Sequence, residues 1–328
     1  MPIRYFAACC PGLEDILAQE IAQKLAGQVA AVRRGQVEFT CDRLVPEALG
    51  CADNLYRVLG RFYVGPHKAD LPELAAEVAD LAAADQLGDA PGLKAHVSCA
   101  RSGRHSYSRF DAAGAALEGL CRGGAYLPGD AEDHQRAFRL DIRDSMGLFS
   151  QKLTDAYYRF RGQRAFQSAA LRPTVAHAMV RALPPREGAR FVDPFAGSGT
   201  IAAERAAYPV ASIVAGDNNP EAVAAMGANL PDGATARQWD ARRLPLADGS
   251  VDEIATNPPW GKQIASEDLP GLYRDFFAEA ARVLAPDGVM VMITDQEIAP
   301  WAGAFSHSTV AELSLHGTRC AIHRFTRT

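Results

Sequence analysis

The stretch Arg190–Thr200, RFVDPFAGSGT, restricts the possible folds of this chain more than any other. Strand-forming Phe191, Val192 and Phe195 lead into Ala196-Gly197-Ser198-Gly199, and a helix-compatible run, Thr200–Arg205, follows at once. Glycines remove the Cβ where backbone must approach a ligand or take φ > 0. The helix start then leaves N–H groups unpaired for a polar ligand. Asp193 is the odd residue, because a buried strand end tolerates a carboxylate only with a partner. Downstream, SIVAGD, EAVAAMGANL, ATARQWD, VDEIATN, LYRDFFAEAARVL and GVMVMIT alternate strand and helix. This pattern predicts an α/β unit with a doubly wound, mostly parallel sheet. Thr309–Leu315 and Arg319–Phe325 read as two paired final strands. The glycine turn is then a cofactor cradle.

At 328 residues the chain should hold two or three domains. Apolar residues at 48% and charged residues at 22% place it among soluble globular proteins. No run approaches the roughly 18 apolar residues of a membrane helix. The start carries acids and lacks a signal-peptide layout, so a cytoplasmic protein is expected, with no membrane partner. Seven scattered cysteines without a CxxC pair imply reduced thiols and no metal site.

The front half divides in two. Residues 3–8, LEDILAQEIAQKL, a hairpin around Gly35, a helix over Arg43–Leu49 and an extended Leu55–Val64 make a split βαβ unit over 1–64. A second unit, 65–154, has helices at Leu71–Ala84 and Asp111–Cys121 and strands at Leu93–Ala100, Phe138–Ile142 and Met146–Thr154. A basic linker spans 155–172, and the α/β unit, opening with an amphipathic helix at Pro173–Leu183, fills 173–328. The net charge of −5 is unevenly placed: Arg136 to Arg172 carries eight basic against three acidic residues, and Lys94 to Arg109 carries no acid. A basic middle between acidic flanks is a footprint for phosphates. Arg101, Arg104, Arg109, Arg159, Arg161, Arg164 and Lys262 are the phosphate-contact candidates.

Which cofactor the cradle holds is not settled by the glycines. Gly197–Ala202 fits G-x-G-x-x-[GA], and Asp217 lies 20 residues beyond Gly197, which suits a dinucleotide or S-adenosylmethionine equally. No Gly-Lys-Ser/Thr follows, which excludes a P-loop. Thr256-Asn257-Pro258-Pro259-Trp260-Gly261, ending the fourth strand of the unit, separates the two. The prolines fix φ and remove donors, leaving the Asn257 amide oxygen and local carbonyls as acceptors, with Trp260 as a stacking face. That set suits an exocyclic amine, drawn toward tetrahedral geometry with its lone pair aimed at a methyl group.

DPFAGSGT with a downstream NPPW resembles the first and fourth motifs of S-adenosylmethionine-dependent methyltransferases acting on nucleobase amines. SAALRPTVAHAMV resembles the lead-in of the branch that modifies guanine N2 in RNA. HSYSRFDAAGAALEGL and DSMGLFSQKLTDAYYRFRGQR resemble the THUMP RNA-binding domain and linker of those enzymes, where a ferredoxin-like domain comes first. The resemblance implies a ferredoxin-like α+β domain, a THUMP α/β domain and a C-terminal Rossmann-like class I methyltransferase domain. It implies methylation of a tRNA guanosine at N2, near position 6 of the acceptor stem, by a monomer. It implies Asp193 near the methionine end of the cofactor and Ala196, Gly197, Ser198, Gly199 and Thr200 beneath it. Asp217 and Asn218 belong at the ribose, Asp240 and Ala241 at the adenine. Asn257, Pro258, Pro259 and Trp260 hold the target base. Trp260 departs from the usual Tyr or Phe, and Asn218 from the commoner second acid. A ribosomal guanine, a dinucleotide-dependent oxidoreductase and a non-catalytic RNA-binding protein are the alternatives.

Overall fold

The computed structural model describes residues 3–84, 92–122, 124, 126–161, 171–183, 186–261 and 268–328. Arg164 and Lys262, both expected to meet RNA, lie outside them. Two sheets organise the described residues. The first contains β1 (Arg4–Ala8), β2 (Gln28–Arg33), β3 (Gln36–Thr40), β4 (Asn54–Tyr63), β5 (Leu93–Ser102), β6 (Tyr126–Pro128), β7 (Arg136–Arg143) and β8 (Met146–Lys152). Its order is β2-β3-β1-β4-β8-β7-β5-β6. Helices α1 (Glu14–Leu25), α2 (Leu71–Ala84) and α3 (Arg109–Cys121) accompany it. The order β2-β3-β1-β4, antiparallel throughout, is the expected split βαβ arrangement.

Two features differ from expectation. The helix expected over Arg43–Leu49 is only a 3₁₀ turn, Pro46–Ala48. Pro46 cannot donate and its ring clashes with the carbonyl four residues back, so a longer helix cannot pass through it. Antiparallel pairing of β4 with β8 also joins the two front units into one continuous sheet.

The second sheet contains β9 (Arg190–Asp193), β10 (Ser212–Asp217), β11 (Ala234–Gln238), β12 (Val251–Thr256), β13 (Leu284–Thr294), β14 (Phe305–Leu315) and β15 (Thr318–Arg327). Its order is β11-β10-β9-β12-β13-β15-β14, with β15 antiparallel to both neighbours and the rest parallel. Helices α4 (Pro173–Ala182), α5 (Thr200–Arg205), α6 (Pro220–Asn229) and α7 (Leu269–Val283) cover it. Helix α7 starts where the Asp268 carboxylate accepts the Gly271 N–H at 2.8 Å. It buries Tyr273, Phe276, Phe277 and Ala280, the apolar stripe its periodicity dictates. Short α5 is held by Arg205, whose guanidinium meets Glu253 of β12 at 2.7 Å with both side chains buried. Strand order reverses between β9 and β12, and ligands bind at such a switch point.

The front sheet and the second sheet share a core. Leu13, Leu17 and Ile21 from the α1 region pack in one apolar cluster with Val175 and Met179 of α4 and Leu313 and Ile322 of the final strands. Each such side chain, fully buried, stabilises by about 1.5–3 kcal/mol. A buried polar network crosses the same seam. The Glu20 carboxylate accepts the Gly50 and Cys51 N–H groups at 3.0 and 2.9 Å and meets Lys24 at 2.8 Å. His177 of α4 lies between Glu20, at 3.1 Å, and Glu204 of α5, at 2.9 Å, with the Tyr208 hydroxyl 2.9 Å away. Burial alone would depress the imidazole, but the two carboxylates outweigh it and hold it above its usual value. Position 50 is closed to any side chain, since a Cβ there would stand 2.2 Å from the His177 ring.

Candidate active site

At the carboxyl end of β9 the chain turns through Pro194–Gly199 and enters α5 at Thr200. The Ala196 N–H donates to the Gly216 carbonyl at 2.9 Å, tying the turn to β10. The Gly197 N–H donates to Asp217 Oδ2 at 2.9 Å, and the Asn219 N–H to Asp217 Oδ1 at 3.0 Å. One carboxylate thus fixes two loops. Gly199 has φ +84, and a Cβ there would meet Met226 at 3.0 Å. Gly197 is different, since a Cβ built on it would meet nothing within 4 Å, leaving that backbone face open to a ligand.

The turn borders a cavity of about 570 Å³. Ala196, Gly197, Ser198, Thr200, Asp217, Asn218, Asp240, Ala241 and Asn257–Trp260 line it, so most of the residues named from sequence come together there. Two do not. Asp193 is fully buried behind the turn, and Gly199 faces α6. Neither borders the cavity. Asp193 Oδ1 accepts the Thr256 hydroxyl at 2.8 Å, one residue before Asn257, while its Oδ2 has no partner among the described residues. Burial, with Asp217 nearby, outweighs these hydrogen bonds and pushes its carboxyl up to about 8.

Sequence reasoning missed Arg242 and Trp239. Arg242 lines the cavity and chelates Asp240, with nitrogen–oxygen distances of 2.6 to 3.0 Å, holding that carboxyl below its usual range. Its place two residues after an acid in DARR was the available signal. Trp239 forms a wall and donates its indole N–H to the Pro194 carbonyl at 3.2 Å, a long-range contact with no local signature.

The Asn257–Trp260 loop is tied to its surroundings through Tyr273. Tyr273 of α7 donates to the Pro259 carbonyl at 3.2 Å and lies 2.7 Å from Thr294 of β13. Asn257 Oδ1 and Trp260 Nε1 are buried, and neither has a partner among the described residues. An acceptor and a donor therefore remain unsatisfied on a loop that lines the cavity, which buried polar atoms rarely do unless a ligand completes them.

The basic candidates separate. Arg104, Arg109 and Arg159 are exposed, the last two over the Phe110 and Phe160 rings at 4.8 and 4.6 Å. Arg101 is half-buried, 3.2 Å from His105. Arg161, expected to meet phosphate, is instead committed to the seam. Its guanidinium donates to the Gly50 and Tyr158 carbonyls and lies 3.7 Å from Glu204.

The family profile described as "RMKL-like, methyltransferase domain" matches residues 161–313, and that described as "RlmL ferredoxin-like domain" matches 4–44. The chain is 33% identical over 295 residues to the tRNA (guanine(6)-N2)-methyltransferase of a Thermus thermophilus strain, covering 87% of each chain. It is 30% identical over 236 residues to the human tRNA (guanine(6)-N(2))-methyltransferase THUMP3, of whose length it covers 46%. The crystal structure of TrmN from Thermus thermophilus superposes with a TM-score of 0.82 at 26% identity, over 99% of this chain and 100% of that one.

Proposed function

The chain belongs to the family of tRNA (guanine-N2)-methyltransferases, and from that membership we propose that it methylates the N2 amine of a tRNA guanosine, with position 6 of the acceptor stem as its target. The residues at the cavity fit S-adenosylmethionine. The volume suits a nucleoside with an amino-acid tail, the Gly197 face is open, and Asp217 and Asp240 stand at separate strand ends. Asp217 with Asn218 would hold the ribose, Asp240 with Ala241 the adenine, and the Ala196–Thr200 turn the methionine portion. When bound, this cofactor supplies a methyl group on an electrophilic sulfonium.

The protein's own contribution is positioning. Guanine N2 is not basic, because its lone pair is delocalised into the ring. Asn257 Oδ1 and the Pro258 carbonyl accept its two N–H groups, and these bonds strengthen as the nitrogen becomes tetrahedral. A stem guanine leaves its stack at a cost of a few kcal/mol, and stacking on Trp260 returns about 1–3 kcal/mol. No base is needed beforehand, since the amine becomes acidic once methylated. Arg101, Arg104, Arg109 and Arg159 supply phosphate contacts.

The buried Asn257 oxygen, without a partner among the described residues and on a loop that lines the cavity, carries this reading. Incubating the protein with unmodified tRNA and labelled methyl donor, then mapping the product nucleoside by mass spectrometry, tests it. Label at N2-methylguanosine in the acceptor stem is expected. Label at another base or in ribosomal RNA alone would replace it.

A further inference from the structure

We propose that Arg242 competes with the cofactor's adenine amine for Asp240: the cofactor enters by displacing the guanidinium, and the guanidinium's return helps release it. This rests on the adenine contact proposed for Asp240 and names the residue that holds that carboxylate beforehand. Beyond β11 the chain turns at Asp240, whose carbonyl accepts the Arg243 N–H at 2.9 Å. The turn brings residue 242 back against residue 240. Asp240 Oδ1 accepts the Arg242 backbone N–H at 2.9 Å and its Nε at 3.0 Å. Oδ2 accepts the same Nε at 3.0 Å and a terminal guanidinium nitrogen at 2.6 Å. An ionised carboxylate offers about four acceptor sites, and these contacts meet them. Both residues line the cavity, so an adenine amine arriving there finds its acceptor already taken.

Asp217 makes the contrast. Its two oxygens each accept one backbone N–H, from Gly197 and Asn219, and each keeps a site for a ribose hydroxyl. Backbone donors are fixed in place, whereas a guanidinium on a flexible stem can move aside. The Arg242 and Asp240 side chains are 52% and 45% exposed, so the displaced guanidinium passes directly into water. Exposed pairs of this kind shift an equilibrium by no more than about fivefold, and a two-pronged geometry belongs at the upper end of that range. A contact of that strength gives way to a ligand with its own donor and re-forms when the donor departs. Methyl transfer leaves the adenosine portion of the cofactor unchanged. Arg242 therefore acts alike on the incoming methyl donor and on the outgoing S-adenosylhomocysteine.

The test is calorimetry with S-adenosylhomocysteine and with its analogue carrying hydrogen in place of the adenine amine. Arg242→Met keeps the length of the side chain and deletes every donor. It should bind S-adenosylhomocysteine roughly threefold to fivefold more tightly than the wild-type protein. Both proteins should bind the deaminated analogue equally, because that ligand brings no donor to Asp240. In an Asp240→Ala background the same substitution should change neither affinity. Raising salt from about 0.05 to 0.5 M should bring the wild-type affinity for S-adenosylhomocysteine toward that of Arg242→Met, as the pair is screened. Weaker binding by Arg242→Met would overturn the proposal and make the arginine a support for the ring. Equal tightening for both ligands would overturn it as well, since the lost charge alone would then be the cause. A wild-type protein that binds neither ligand would remove the cofactor reading itself, and this proposal with it.

Discussion

A carboxyl group with no solvent exposure and one bare oxygen, as at Asp193, opposes folding whenever it must ionise. Its folded value of about 8 lies above the ordinary 3.8, so the folded chain keeps a proton that the unfolded chain releases. Folding therefore weakens as pH climbs from about 4 to about 8 and levels off above that. Asp193→Asn should accordingly be more stable than the parent at pH 8, by a few kcal/mol, and indistinguishable at pH 4. Denaturant titrations at the two pH values check this; equal gaps would mean Asp193 is ionised in the fold. Asn257→Ala should lower kcat by about 10²–10³ while cofactor affinity stays within a few-fold, because only the strengthening contact to the amine is lost. Single-turnover kinetics with calorimetry separate the two quantities. At this scale what was readable is that Asn257-Pro258-Pro259-Trp260 and Asp217, singled out because their chemistry narrows residue choice, line one cavity. The retreat of Asp193 behind the turn was not readable, since it depends on Thr256, 63 positions away.

Helices and strands of the catalytic half follow their periodicity closely, and α2 begins at Leu71, where its Leu and Ala pattern starts. The helix expected over Arg43–Leu49 is cut to a 3₁₀ turn at Pro46. Contacts between elements were the hidden part. His177 sits mid-helix in PTVAHAMV, with nothing nearby to announce carboxylates from α1 and α5. Because the folded imidazole titrates above its ordinary value of about 6.5, its charge stabilises the seam fully below that value. The contribution disappears as pH rises through the folded value. His177→Gln should therefore cost about 1–3 kcal/mol at pH 6 and progressively less in alkaline solution, measured by urea unfolding. The same seam holds Arg161, one of the linker arginines. Arg159→Ala should lower the slope of log affinity for RNA against log salt by about 1. Arg161→Ala should leave that slope unchanged and lower the unfolding midpoint instead, because its guanidinium holds Gly50 and Tyr158.

At the scale of the whole molecule, the shared apolar cluster makes the front sheet part of the catalytic unit's support. Residues 173–328 expressed alone should expose Val175, Met179, Leu313 and Ile322 and associate or precipitate, which light scattering would report. A monodisperse, fully folded fragment would show that the cluster is dispensable. Composition and alternation made the α/β half legible as a unit. They could not show that two front units share one sheet, because strand neighbours far apart in sequence leave no periodic trace. The β4–β8 pairing sets Tyr56 against Lys152 and Tyr63 against Met146. During synthesis on a ribosome, β4 therefore emerges long before the strand that covers its edge. Until residue 152 clears the exit tunnel, β4 lacks the strand that pairs along that edge, and an uncovered edge is open to pairing with another chain.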